Sequence, residues 1–222
     1  MSQKQRPAAN QQPPQFEHPP ITEPTQIATL ESQTSYAHQL WVGAHFDHQL
    51  AEDVIFEQLI VRSSSFQHTE LPLLQATDCR FDSADFASCS ISKAYFRRVE
   101  LLGCRMIGMT AVDADMTDVR FSRCNLTLAR CWTSTYRSAR FEHCALQEAS
   151  FDGSDLSGAV FSKCDLTKAD FRNAKLKKTD LRGSILTGIQ INLRDLAGAI
   201  IDPSQAMELI HLLGVTVRPE DT

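Results

Sequence analysis

Between residues 79 and 186 a large apolar residue recurs at every fifth position, as in Phe81, Phe86, Ile91, Phe96 and Leu101 and again in Phe151, Leu156, Phe161, Leu166 and Phe171. Two positions before each stands a small one, as in Cys79, Ala84, Cys89 and Ala94, then Ala149, Ser154, Ala159 and Cys164. The other positions are mostly polar. On an α-helix a step of five turns the side chain by about 140°, which scatters the large row around the cylinder. On a straight strand an odd step alternates faces and puts half of the Phe and Leu in water. Both rows point inward only if the chain turns a corner once per repeat, which is a solenoid.

The number of walls follows from the longer spacing. Cys104, Cys124, Cys144 and Cys164 stand twenty residues apart in the small row, and Phe121, Phe141 and Phe161 keep the same interval in the large row. Four repeats per turn would stack like residues coil upon coil, about 4.8 Å apart as strands are. Met109 is bulky in the small row and is followed by the undersized Ala111, an exchange that conserves core volume.

The triplets Ser154-Asp155-Leu156, Ala169-Asp170-Phe171 and Thr179-Asp180-Leu181 follow the consensus A(D/N)LXX, and the chain resembles the pentapeptide-repeat family. The resemblance implies an all-β fold, a right-handed quadrilateral β-helix, here with a C-terminal capping and dimerisation α-helix. The run from Asp195 to Val215 and the segment Phe151–Gly158 are similar to the quinolone-resistance (Qnr) branch. Members of that branch engage DNA gyrase as mimics of a DNA duplex and dimerise through the C-terminal element.

Residues 1–35 hold six of the nine prolines and many glutamines, and bury too little to offset their ordering entropy; they read as a disordered tail. The repeat array is expected over 36–201. Its first coils, 36–78, read as irregular because Gln39, Gln49, Leu59 and Leu74 fall in the small row, with a loop near Glu70-Leu71-Pro72. Residues 202–222 read as a helix started by Asp202-Pro203-Ser204 and stopped near Gly214, then a short strand Val215–Val217. Met207, Leu209, Ile210, Leu212 and Leu213 are the apolar residues expected to cap the solenoid and to pair two copies through residues 203–217. No export signal or membrane span is evident, and seven cysteines then point to a reducing, cytoplasmic setting.

No nucleophile elbow, phosphate loop or zincin signature is present, and a core plugged by its own side chains leaves no interior pocket. The reading is therefore not an enzyme, with no cofactor and no metal. The cysteine column is core filling, and His38, His45 and His48 complete no ligand spacing. Function is placed on the outer walls. The family resemblance implies a type II topoisomerase, DNA gyrase or topoisomerase IV, as partner, protected from inhibitors such as quinolones, with no direct nucleic-acid binding. Asp113, Asp115, Asp118, Asp152 and Asp155 are the candidate contacts. The array is nearly neutral, with 20 acidic and 19 basic residues over 36–201, so mimicry has to rest on local clusters. The alternative is a generic interaction scaffold that uses an apolar outer patch of Leu102, Ile107, Val112 and Trp132.

Overall fold

The computed structural model describes residues 11–16, 23–210 and 215. Eleven strands are found among them: β1 (Ser35–Ala37), β2 (Leu40–Val42), β3 (Ile55–Glu57), β4 (Ile60–Arg62), β5 (Gln75–Thr77), β6 (Arg80–Asp82), β7 (Tyr95–Leu102), β8 (Asp115–Ser122), β9 (Thr135–Arg137), β10 (Arg140–Glu142) and β11 (Val160–Ser162). All pair in parallel with a register of twenty residues, as in Phe81 to Leu101 and Phe121 to Phe141. β1, β3, β5 and β9 lie on a first wall and β2, β4, β6, β10 and β11 on a second, while β7 and β8 bend around the corner between them. Two further walls are laddered by single bridges, one through His45, Ser65, Asp85 and Arg105, the other through Leu50, Glu70, Ser90 and Thr110. The result is a four-walled parallel β-solenoid.

Each corner is made the same way. From Gln33 to Gly188 every fifth residue has a positive φ, between 47° and 78°, two positions after the large core residue. Most of these corners carry a side chain, although the left-handed region costs any residue with a Cβ about 1–2 kcal/mol. Leu193 drops out of the series, and Gly198 (φ 85°) is again left-handed before Ile200 pairs with Asp180. On the walls laddered by single bridges, the residue before the left-handed one has an N–H that the inter-coil ladder does not use. An Asp or Asn two positions earlier takes it instead: Asp85 accepts from Ala87, Asn125 from Thr127, Asp165 from Thr167 and Asp170 from Arg172, at 2.9–3.0 Å. The acidic position of the repeat is thus a corner brace.

This geometry corrects the expectation for residues 36–78. The left-handed corners and the twenty-residue ladder run through these coils without a break. No loop forms at Glu70–Pro72, because Pro72 sits at the corner position whose N–H the ladder leaves unused, and its carbonyl still accepts from Asp53 at 3.0 Å. Leu59 and Leu74 are buried in the small row, and Leu74 is followed by Ala76, repeating the Met109 and Ala111 exchange. Gln49 turns to the open end, where its Oε1 accepts from Leu30 N at 2.9 Å and its Nε2 donates to Ala28 O at 3.1 Å. Within the stretch expected as a tail, Leu30 is buried, Ile27 packs on the core and Thr25 N donates to Leu40 O at 2.7 Å, so residues 25–30 cover the first coil.

The interior is filled by its own columns. Phe121, Phe141 and Phe161 stack with centroids 4.6 Å apart and planes within 2° of parallel. Phe66 and Phe86 do the same at 4.7 Å. At the other end the helix α1 (Pro203–Leu209) closes the tube, started by a capping box between Asp202 and Gln205. Gln205 Nε2 donates to Leu181 O and Ser184 O, both at 2.7 Å, satisfying carbonyls that a further coil would have taken.

Lys163 occupies a corner (φ 54°) in the column that also holds Gly43, Gly103 and Gly183. Lys163→Gly is expected to raise stability by about 0.5–1 kcal/mol in urea melts, since relief of the left-handed cost exceeds glycine's added chain entropy. A loss of stability would contradict this corner.

Candidate partner-binding surface

A small-row residue with a donor turns it onto the carbonyl of the large residue one coil back. Ser134 Oγ donates to Ala111 O at 2.8 Å, Ser154 Oγ to Cys131 O at 2.6 Å and Thr179 Oγ1 to Leu156 O at 2.7 Å. The cysteines do likewise, Cys124 Sγ to Leu101 O at 3.3 Å and Cys164 Sγ to Phe141 O at 3.3 Å. All seven are free and buried. Burial pushes the thiols of Cys79 and Cys89 up to about 12 and that of Cys131 to about 11. Because the thiolate is the nucleophile, burial lowers the reactivity of these three thiols.

Among the described residues no group of three or more His, Cys, Asp and Glu is placed to hold a metal, and no helix is long and apolar enough to cross a membrane. His48 stacks on His68, one coil on, with centroids 4.9 Å apart.

The five candidate carboxylates divide by their surroundings. Asp115 and Asp155 share a column of the first wall but are paired with bases, Asp115 with Arg137 at 2.6 Å and Asp155 with Lys175 at 3.6 Å. Asp155 is also a corner brace, accepting from Ser157 N at 3.0 Å. Partial burial would raise its pKa, but the bonds from Ser157 and the charge of Lys175 outweigh that and lower it. Asp113, Asp152 and Asp118 are bonded to neutral groups instead. Asp113 accepts from Thr133 Oγ1 at 2.5 Å, Asp152 from Asn173 Nδ2 at 2.8 Å and Asp118 from Gln12 N at 3.3 Å. Asp113 and Asp152 lie on the corner between the fourth and first walls, and Asp118 on the corner between the first and second. The second wall is closed by ion pairs, with Arg120 between Glu100 at 3.5 Å and Glu142 at 2.8 Å and Arg140 on Glu142 at 3.1 Å.

The apolar patch does not form as expected. Leu102, Ile107 and Val112 belong to consecutive repeats, and consecutive repeats stand on consecutive walls, so the three face different directions. Only Val112 and Trp132 share a column, one coil apart. Trp132 is 40% exposed, donates its Nε1 to Ser150 Oγ at 2.8 Å and carries Arg130 over its ring at 5.8 Å. With Leu128, which is 50% exposed, and Gly108 it borders a groove of about 560 Å³ on the fourth wall. The sequence pattern missed Leu128 and Arg130 because they reach this groove from neighbouring repeats.

The apolar residues of the C-terminal segment also divide. Leu209 is buried in the chain's own core, so it caps the tube and is not a free contact, whereas Met207 is 53% exposed. Ile210 joins Leu193, Leu196, Ala199, Ile201, Ala206 and Leu209 around an apolar hollow of about 210 Å³. Leu212 and Leu213, the expected stop at Gly214 and most of the expected strand Val215–Val217 lie outside the described residues.

Native thiols are expected to resist Ellman's reagent for hours in buffer and to react fully in denaturant. Rapid modification of Cys124 or Cys144 in the folded chain would contradict the inward column.

The model described as pentapeptide repeats (8 copies) matches residues 137–173 and 149–188, and that described as a pentapeptide repeat region matches residues 74–151. Among solved structures, a trypsin-treated variant of QnrB1, a plasmid-mediated fluoroquinolone resistance protein, is 20% identical, covering 82% of this chain and 99% of its own, with a TM-score of 0.44. HetL, a pentapeptide-repeat protein involved in heterocyst differentiation regulation from Nostoc sp. strain PCC 7120, is 18% identical over 74% of this chain and 88% of its own, with a TM-score of 0.33. No curated protein matches the chain. The family models together run from residue 74 to residue 188, inside the stretch over which the left-handed corners and the filled core repeat without interruption, and the chain belongs to the pentapeptide-repeat family.

Proposed function

We propose that the chain is a non-catalytic binding rod that engages a type II topoisomerase, DNA gyrase or topoisomerase IV, through its outer corners and modulates the action of inhibitors such as quinolones. The observation that carries a surface function is the filled interior, whose stacked Phe and Leu columns leave only the outside to a partner. The carboxylates that favour this partner are Asp113, Asp118 and Asp152, which are bonded to neutral groups and, among the described residues, to no base. Asp115 and Asp155 contribute less, because Arg137 and Lys175 offset them. The exposed Met207 and the hollow beside Ile210 favour pairing of two copies at the C-terminal end. Cytoplasmic residence belongs to the same reading.

A second reading, a scaffold for another protein, is favoured by Trp132. An indole 40% exposed beside a groove with Leu128 and Arg130 is a common kind of protein contact.

In a gyrase supercoiling assay the chain is expected either to inhibit or to restore activity in ciprofloxacin, and Asp113→Asn with Asp152→Asn to weaken the effect at least fivefold with the fold unchanged. No effect at micromolar chain, with or without the drug, would overturn the first reading. Trp132→Ala is expected to lose a bound protein while leaving the supercoiling assay unaltered if the second reading holds; loss of neither stability nor any interaction would remove it.

A further inference from the structure

Residues 11–16 lie outside the solenoid yet meet it at two points. Gln12 N donates to Asp118 Oδ1 at 3.3 Å, and Gln11 Nε2 reaches the Asp118 carbonyl at 3.4 Å. Gln15 N donates to Asp78 Oδ1 at 2.7 Å. Asp78 and Asp118 occupy the same corner column between the first and second walls, two coils apart, with Arg98 on the coil between them. Gln11 and Pro13 also border a hollow of about 270 Å³ with Glu100, Arg120, Arg140 and Glu142 of the second wall.

The spacing explains why this segment fits. Two coils measure about 9.6 Å at strand spacing. Three residues of polyproline II measure about 9.3 Å, and Pro13 and Pro14, which separate Gln12 from Gln15, favour that conformation. Pro13 and Pro14 also lack an N–H, so the intervening coil need supply no acceptor. There the corner residue is a cation, Arg98, whose guanidinium holds Asp78 through Nε at 2.7 Å and Nη2 at 2.5 Å. The carboxylate that receives Gln15 is thereby also held by Arg98, and with the segment in place Asp78 is 5% exposed.

We propose that this corner is a docking track for an extended X-Pro-Pro-X segment, with carboxylates two coils apart reading the two free N–H groups, and that its occupant in the folded chain is residues 11–16. Docking engages one carboxylate oxygen of Asp118, so a partner that uses this carboxylate competes with the segment. That second consequence rests on the topoisomerase reading; the docking does not.

Amide exchange on the full chain tests it. Gln12 and Gln15 N–H are expected to exchange at least tenfold more slowly than in an unstructured chain, and Asp118→Asn to speed Gln12. Exchange of both amides at unstructured rates overturns the docking. The double variant Gln12→Pro, Gln15→Pro removes both donors without touching a coil, and is expected to act on gyrase at a concentration at least threefold lower than the unaltered chain. Slow exchange together with an unchanged gyrase effect overturns the masking and keeps the docking. No gyrase effect from either chain defeats the topoisomerase reading, and the exchange rates alone then decide for or against the track.

Discussion

The fold depends on one backbone state repeated at fixed interval: a left-handed residue two positions after each large core residue. It turns the chain by one wall, so the next inward pair can form. Where it is missing, at Leu193, the regular series is interrupted until Gly198. Few corners use glycine, and the strain is offset by what each corner permits, namely an inward pair of side chains and a shared inter-coil ladder. The brace from Asp or Asn to the corner N–H belongs to the same device. It ties the polar position of the repeat to the backbone and leaves fewer carboxylates free for recognition than a count of acids suggests.

The sequence revealed the tube because its interior has strict spatial demands. The five-residue rows and the twenty-residue columns of Phe and Cys translate directly into walls and stacks, and Phe121, Phe141 and Phe161 stand one above another. What the rows concealed has physical causes. Leu74 reads as a break until its volume is added to that of Ala76, because the core constrains the pair and not the single position. Pro72 reads as a loop until one sees that its missing N–H was never part of the ladder. Leu102, Ile107 and Val112 read as a patch because neighbours in sequence were taken for neighbours in space, and each corner turns them apart.

The outer surface was less legible because its order runs along columns. Asp115 and Asp155 are partly neutralised by residues twenty or so positions on, Arg137 and Lys175, while Asp113 and Asp152 are answered by neutral Thr133 and Asn173. Leu209 belongs to the tube's own lid, and Met207 beside it does not. The second wall is closed by ion pairs, and one corner pairs Asp78 with Arg98, while Asp113 and Asp152 at another corner are bonded to neutral groups. One corner, between the first and second walls, carries the chain's own residues 11–16.

The most direct measurement is a distance along one column. His45 and Ile185 are exposed on the third wall and linked by seven successive coil steps. With spin labels on cysteines at these two positions, the native thiols being buried, a narrow distribution centred near 34 Å is expected from strand spacing. A broad distribution, or a centre displaced by more than about 10 Å, would contradict a four-walled tube of twenty residues per turn.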